Sequence, residues 1–257
     1  MKKTYKFYSL LAAVTILIFS SCESATDEKS ENSADGNKTG EVTANAGDCN
    51  GYYPLNEGVK FELTSYDLNN QATGVVNSKI TKSESIENGI KATYEMVTSD
   101  QDGNKGMEIS FDARCQDGKY YLNLETMFSQ LTSQYKAQGM EISFENGISV
   151  VPNDIVVGDK LEDVAMLMKL NSEAMNMDMT ITISDREVIG KETKTTPAGT
   201  FECMILSQKT TTQMGDIMTV TSSSKEWLSK GVGAVRSENY DKNGDLEGYT
   251  LLTDFSK

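Results

Sequence analysis

Cysteine thiols are the most reactive side chains in this sequence, and there are four of them, at Cys22, Cys49, Cys115 and Cys203. The 257-residue chain contains no histidine, so a cysteine or serine nucleophile lacks its usual imidazole base and an HExxH zinc site is excluded. The formal net charge of −14 argues against nucleic acid as a partner. Two carboxylates alone can hydrolyse a glycoside, but 38 acidic residues make any single pair uninformative. The sequence therefore favours a protein that is not an enzyme and holds no cofactor.

The N-terminus has the three parts of a signal peptide, which we assign to residues 1–21. A lysine-rich start precedes an apolar stretch over Leu10–Phe19, and the small residues Ser20 and Ser21 stand before Cys22. Ten apolar residues are too few to span a bilayer. The four residues that end at Cys22 resemble a bacterial lipobox, although phenylalanine stands where leucine is usual. We predict that Cys22 is acylated; the alternative is an ordinary secretory peptide cut near the two serines, which leaves a free thiol.

Residues 22–48 are predicted to form a disordered acidic tether, since they contain no aromatic residue and a single valine. A flexible coil of this length spans about 25–30 Å. Removal of residues 1–21, which carry three lysines and no acid, makes the net charge −17, and such a body stands off an anionic lipid surface. The residue after Cys22 is not aspartate, which by resemblance to Gram-negative sorting signals favours the outer membrane, on its periplasmic or its surface face.

The three cysteines that remain after lipidation are assigned by their surroundings. An exported compartment permits disulfides. Cys203 lies in the apolar strand 201–206, where a buried free thiol is common, whereas Cys115 ends a strand just before a turn. We therefore predict a disulfide between Cys49 and Cys115, with Cys203 reduced and buried.

Apolar and polar residues alternate through residues 49–257, which we predict to form a single antiparallel β domain. Met107, Ile109 and Phe111, for example, alternate with polar residues, as in half-buried strands. Helical spacing of apolar residues over 126–138 predicts one short helix. The predicted fold class is all-β, with a large curled antiparallel sheet of the roll, clam or half-barrel kind. Dipeptides typical of tight turns separate the strands, at Asn88-Gly89, Asp102-Gly103, Asp117-Gly118, Asn146-Gly147 and Asn243-Gly244.

Residues 241–245 read Asp-Lys-Asn-Gly-Asp and have a superficial likeness to a calcium loop. The spacing fails, because Leu246 stands where the EF-hand glycine belongs and Leu252 where the bidentate glutamate belongs. A similar spacing of residues recurs at 66–70. We predict hairpin turns at both places and no metal site.

Methionine supplies the candidate ligand-lining residues. One predicted strand places five apolar side chains on one face, at Met175, Met177, Met179, Ile181 and Ile183. Methionine is flexible and polarizable, so it lines surfaces that accept varied apolar partners. The simpler interpretation is that this stripe is ordinary core. A curled sheet nevertheless has a concave face that a helix must plug, such as 126–138, or a ligand must fill.

Four motifs carry a resemblance to a known family. They resemble the TapB-like exported proteins of Bacteroidetes, a domain-of-unknown-function family, and span about 53–236. The resemblance implies an antiparallel β-roll or clam similar to the periplasmic lipoprotein carriers, and no established activity. The motifs are Tyr52–Gly58, Thr196–Cys203, Glu226–Leu228 and Gly231–Arg236.

The sequence favours a non-catalytic, membrane-anchored envelope lipoprotein that binds a lipid or another apolar ligand in the concave face of its sheet. The alternative is a structural or protein-interaction lipoprotein with a filled core and no small-molecule ligand. A carboxylate glycosidase, the third hypothesis, would need two acids about 5–9 Å apart in a cleft. The expected partners are a membrane, through the N-terminal lipid anchor, and an apolar ligand, with no nucleic acid.

Overall fold

The computed structural model describes residues 49–128, 132, 141–171 and 176–257. The predicted signal peptide, Cys22 and the predicted tether lie outside these ranges. Met175 also lies outside them, as does nearly all of the predicted helix beyond residue 128.

Thirteen antiparallel strands form one continuous sheet in the described residues. The alternation of apolar and polar residues accounts for the strands, because successive side chains point to opposite faces. The predicted all-β class is confirmed. The strands are β1 (Lys60–Tyr66), β2 (Ala72–Ile86), β3 (Gly89–Asp100), β4 (Lys105–Gln116), β5 (Lys119–Asn123), β6 (Glu141–Asn146), β7 (Ile148–Pro152), β8 (Val164–Asn171), β9 (Asn176–Thr196), β10 (Gly199–Met214), β11 (Met218–Ser229), β12 (Gly233–Tyr240) and β13 (Leu246–Ser256).

The sheet curls until it is nearly closed, in the order β6-β8-β9-β10-β11-β12-β13-β1-β2-β3-β4-β5-β7. The first and last strands, β1 and β13, pair in its middle. Its two edge strands, β6 and β7, are consecutive in the chain and are separated by a single residue, Gly147. The two edges therefore approach each other, and the result is a barrel-like sheet with an enclosed inner face.

The turn predicted at Asn146-Gly147 crosses from one sheet edge to the other instead of closing a hairpin. Both residues have positive φ, 67° and 87°. The Gly147 carbonyl accepts a hydrogen bond from the Leu124 amide at 2.8 Å. A Cβ on Gly147 would lie 3.1 Å from Cβ of Met166. Glycine is therefore favoured here by both its backbone conformation and the close packing at the seam.

The two Asp-initiated segments singled out in the sequence are hairpin turns, as predicted. Oδ1 of Asp241 accepts hydrogen bonds from the backbone N–H groups of Asn243 and Asp245, at 2.8 and 2.9 Å. Asp67 starts the β1–β2 turn with the same pattern, and Asp100 starts the β3–β4 turn. These hydrogen bonds lower the pKa of all three carboxyls. The carboxylates thus serve the backbone of their own turns.

Two segments pack inside the curled sheet. Residues 124–128 are helical and begin at Asn123, whose Oδ1 accepts the Glu125 amide hydrogen at 2.9 Å as a helix N-cap. Met127 and Phe128 of this helix are buried in the largest hydrophobic cluster. Residues 51–59 enter from the other chain end and bury Tyr52. Within the described ranges, no helix has the length and hydrophobicity to cross a membrane.

Candidate functional site

The inner face of the curled sheet forms a cavity of about 280 Å³ that is partly open to solvent. Strands from both halves of the chain contribute to its lining, as do the helix 124–128 and the N-terminal segment. The cavity therefore exists only when the sheet has closed. Its two sides differ in chemistry.

The first side is an apolar wall formed by β2, β3, β5, β8, β9 and the helix. The Met/Ile stripe of the sequence contributes to it in part. Ile181 and Ile183 line the cavity, while Met177 and Met179 pack in the adjacent core cluster. Met166, also singled out in the sequence, lies on the lining. We define the apolar wall as Val76, Met96, Leu122, Met127, Phe128, Met166, Ile181 and Ile183.

The second side is a polar wall formed by β10 to β13 and β1. Its side chains lie in cross-strand register, since Glu226 pairs with Ser237, Ser237 with Thr250, and Thr250 with Ser65. The hydroxyls of Ser65 and Thr250 share a hydrogen bond of 3.0 Å. The cavity is thus amphipathic. We define the polar wall as Ser65, Gln208, Thr210, Ser224, Glu226, Ser237, Asn239 and Thr250.

A wider depression of about 810 Å³ adjoins the cavity and shares Ser65, Asn239 and Thr250 with it. The depression is more open to solvent and has exposed apolar side chains on its lining, including Leu68 and Val220. It is larger than the cavity but less enclosed, and it provides a route from solvent to the polar wall.

Arg186 is the cationic group on the cavity lining among the described residues, with only 4% of its surface exposed. One guanidinium nitrogen donates to the Glu162 carbonyl at 2.7 Å, and the other donates to the Ser149 hydroxyl at 3.2 Å. Its Nε is buried and has no hydrogen-bond partner in the described part of the chain. Arg186 and Ser149 both line the cavity. A buried donor without a partner is costly, so the described residues do not fully satisfy the guanidinium, which lies on the cavity lining.

A β-bulge turns Arg186 inward. In β9 the inward-facing residues are odd-numbered as far as Ile183 and even-numbered from Arg186. Asp185, at the switch, is exposed and has a φ of 53°, unusual for a residue other than glycine. The β9–β10 register shifts at the same place. Bulges re-aim side chains in this way and are over-represented next to active sites.

Strict alternation places Arg186 on the solvent face, so the sequence pattern does not predict it as a cavity residue. A signal was present, because Ile183 and Val188 are both inward-facing yet lie an odd number of residues apart. An odd spacing between two core positions of one strand requires an inserted residue.

Glu226 is the carboxylate of the polar wall, and it is half-buried on the cavity lining. Burial raises the pKa of Glu226, while the positive charge of Arg186 acts in the opposite direction. Burial also raises the pKa of the Tyr53 hydroxyl, which faces both groups. Burial lowers the pKa of Arg186, but a guanidinium stays protonated in proteins. The cavity therefore has one fixed positive charge and one carboxyl whose ionisation is disfavoured.

A family model matches residues 56–252, most of the described sheet and all the residues of both walls. The chain belongs to the DUF3108-like family. Its fold is similar to that of a "putative lipoprotein" from Parabacteroides distasonis, with a TM-score of 0.66 and 25% identity over 81% of this chain and 100% of that one. A "putative exported protein with YmcC-like fold" from Bacteroides fragilis has a TM-score of 0.64 and 21% identity, with the same coverages. No curated protein matches the sequence.

The described residues contain one disulfide, and it joins the two cysteines favoured by the sequence. Cys49 and Cys115 are bonded with a Cα–Cα distance of 5.7 Å. Cys203 is a buried free thiol. Burial and the nearby carboxylate of Glu192 raise the pKa of Cys203 to about 11, which leaves very little nucleophilic thiolate at neutral pH. Cys22, the predicted lipidation site, lies outside the described residues.

Proposed function

We propose that this DUF3108-like protein is a lipid-anchored lipoprotein of the cell envelope that binds a small molecule with an apolar chain inside its barrel-like sheet. The observation that carries this proposal is the cavity on the inner face of the sheet, with its apolar wall. Membrane anchoring is supported by the predicted acylation of Cys22 and by the similarity to a Parabacteroides "putative lipoprotein". We also propose that the chain is related to the TapB-like exported proteins and that its lipid anchor holds it in the outer membrane.

The size of the cavity limits the ligand. Ligand pockets have volumes of about 300–1,000 Å³, and about 280 Å³ lies near the lower end of that range. A single short acyl chain suits this volume better than a complete phospholipid. Each methylene group buried against the apolar wall would contribute about 0.8 kcal/mol.

We propose further that binding is the whole activity and that no reaction is catalysed. Hydrolysis by carboxylates requires two converging acids. Among the described residues that line the cavity, Glu226 is the single carboxylate. The thiol of Cys203 lacks an activating base and is not on the lining.

Recovery of the bound molecule from the native protein tests the proposal. The full chain is purified from its own membranes, and non-covalently bound molecules are extracted and identified by mass spectrometry. Val76→Phe places a larger side chain on the cavity lining, whereas Val75→Phe places the same side chain on the opposite face of β2.

We expect one class of apolar-chain molecule with the wild type and with Val75→Phe, and much less of it with Val76→Phe. Equal recovery from all three proteins would show that the molecules come from the detergent or from the membrane. No recovery from any of them would contradict the ligand and favour the structural lipoprotein with a filled core.

A further inference from the structure

We propose that the ligand is a single-chain monocarboxylate and that Arg186 binds its carboxylate inside the barrel. This inference rests on the proposed function and adds the chemical class of the ligand. It starts from the arginine, because burying a guanidinium is expensive unless its hydrogen bonds and its charge are satisfied.

The known contacts satisfy Arg186 only in part. The guanidinium donates to the Glu162 and Val150 carbonyls, at 2.7 and 3.5 Å, and to the Ser149 hydroxyl, all of which are neutral oxygens. Glu226 and Asp163 act on its charge through space. The buried Nε has no partner in the described residues. Nη2 carries two N–H groups and has one acceptor among the described residues, the Ser149 hydroxyl, so the guanidinium keeps a donor for a ligand on the cavity lining.

The surroundings of Arg186 favour an anion that also has an apolar part. Ile183 lies on the same strand, on the lining, and Ile181 and Met166 extend the apolar surface away from the bulge. A carboxylate at the guanidinium could thus be held while its chain lies along the apolar wall. The hydroxyl of Ser149 lies 3.2 Å from the guanidinium and can donate a second hydrogen bond to the carboxylate of the ligand.

The same surroundings favour a carboxylate over a phosphate. Glu226 lines the cavity on the facing polar wall, and a phosphate dianion would exceed the single positive charge of Arg186 in a poorly solvated space even with Glu226 protonated. A carboxylate has a single charge and can share a proton with a neighbouring carboxyl group. Arginine forms strong charge-assisted hydrogen bonds with carboxylates.

Calorimetric titration with octanoate, octanol and octyl phosphate tests the headgroup. The measurement uses the mature chain, residues 22–257, with Cys22→Ser, which lacks the predicted signal peptide and cannot be acylated. We expect octanoate to bind at least about ten-fold more tightly than octanol, the effect of one charge-assisted hydrogen bond, and more tightly than octyl phosphate.

Arg186→Gln should remove the preference for octanoate over octanol, and Arg114→Gln should keep it, because Arg114 lies on the exposed face of β4. If Arg186→Gln does not fold, the comparison of octanoate with octanol on the parent chain decides. Equal binding of the two would overturn this inference and leave the proposed function intact. Failure of all three molecules to bind would overturn both, and tighter binding of octyl phosphate would overturn the choice of carboxylate.

Discussion

Replacement of both Cys49 and Cys115 by serine should destabilise the domain strongly. The disulfide closes a loop of 66 residues that contains β1 to β4. On the chain-entropy model, a cross-link over this length restricts the unfolded state by about 4 kcal/mol. For a domain of this size, each kcal/mol shifts the melting temperature by about 2–4 °C. The double variant should therefore melt about 8–16 °C below the wild type.

Thermal unfolding followed by far-ultraviolet circular dichroism measures this shift, with and without dithiothreitol. The reductant should lower the melting temperature of the wild type toward that of the double variant. It should not affect the variant, whose remaining thiol in the described domain, Cys203, is unpaired. A fall of less than about 2 °C in the variant, or an equal effect of reductant on both proteins, would refute the reasoning, because the cross-link would then not constrain the unfolded chain.

Three further predictions concern titratable groups. Burial raises the pKa of Glu226 above its ordinary 4.5, so the native state binds this proton more tightly than the unfolded state does. The free energy of unfolding should therefore fall as pH rises from 4.5 through the folded pKa. In urea unfolding, Glu226→Gln should be more stable than the wild type at pH 7 and should show a smaller dependence on pH. The pKa values of Asp67, Asp100 and Asp241 are lowered, so their contribution to the free energy of unfolding is complete above the unfolded pKa of about 4 and is lost as pH falls through the folded pKa values. The variant with all three replaced by Asn should lose part of the dependence of stability on pH in acid. An unchanged dependence would contradict the turn assignment. Cys203 should react with Ellman's reagent only after urea unfolds the chain, and rapid labelling of the native protein would contradict its burial.

The strand content could be predicted from the sequence because it depends on local alternation. Met107, Ile109 and Phe111 alternate with polar residues in the sequence and lie on the buried face of β4 or close to it. The hairpins at Asp67 and Asp241 are equally local, since each carboxylate binds amides within four residues. Side-chain direction and turn geometry follow from neighbouring residues alone.

The closure of the sheet could not be predicted, because it depends on contacts between distant residues. The pairing of β1 with β13 joins the two ends of the domain, and no local pattern reports it. The turn signal at Asn146-Gly147 was interpreted as a hairpin because its dipeptide is the usual one, yet it links two sheet edges. Ile181 and Ile183, predicted as ligand-lining residues, do lie on the cavity lining. Arg186 was not predicted, because the bulge reverses the alternation of β9 before it.

Photo-crosslinking with a medium-chain fatty acid that carries a diazirine at the end of its chain tests the central claim most directly. The labelled protein is digested, and the modified residues are located by mass spectrometry. A carboxylate held at Arg186 places the chain end against the apolar wall, so we expect the label on residues such as Met166 and Ile181, with excess octanoate preventing it. Label confined to exposed apolar residues such as Ile217, which is 86% exposed, or label that octanoate does not displace, would contradict binding inside the barrel.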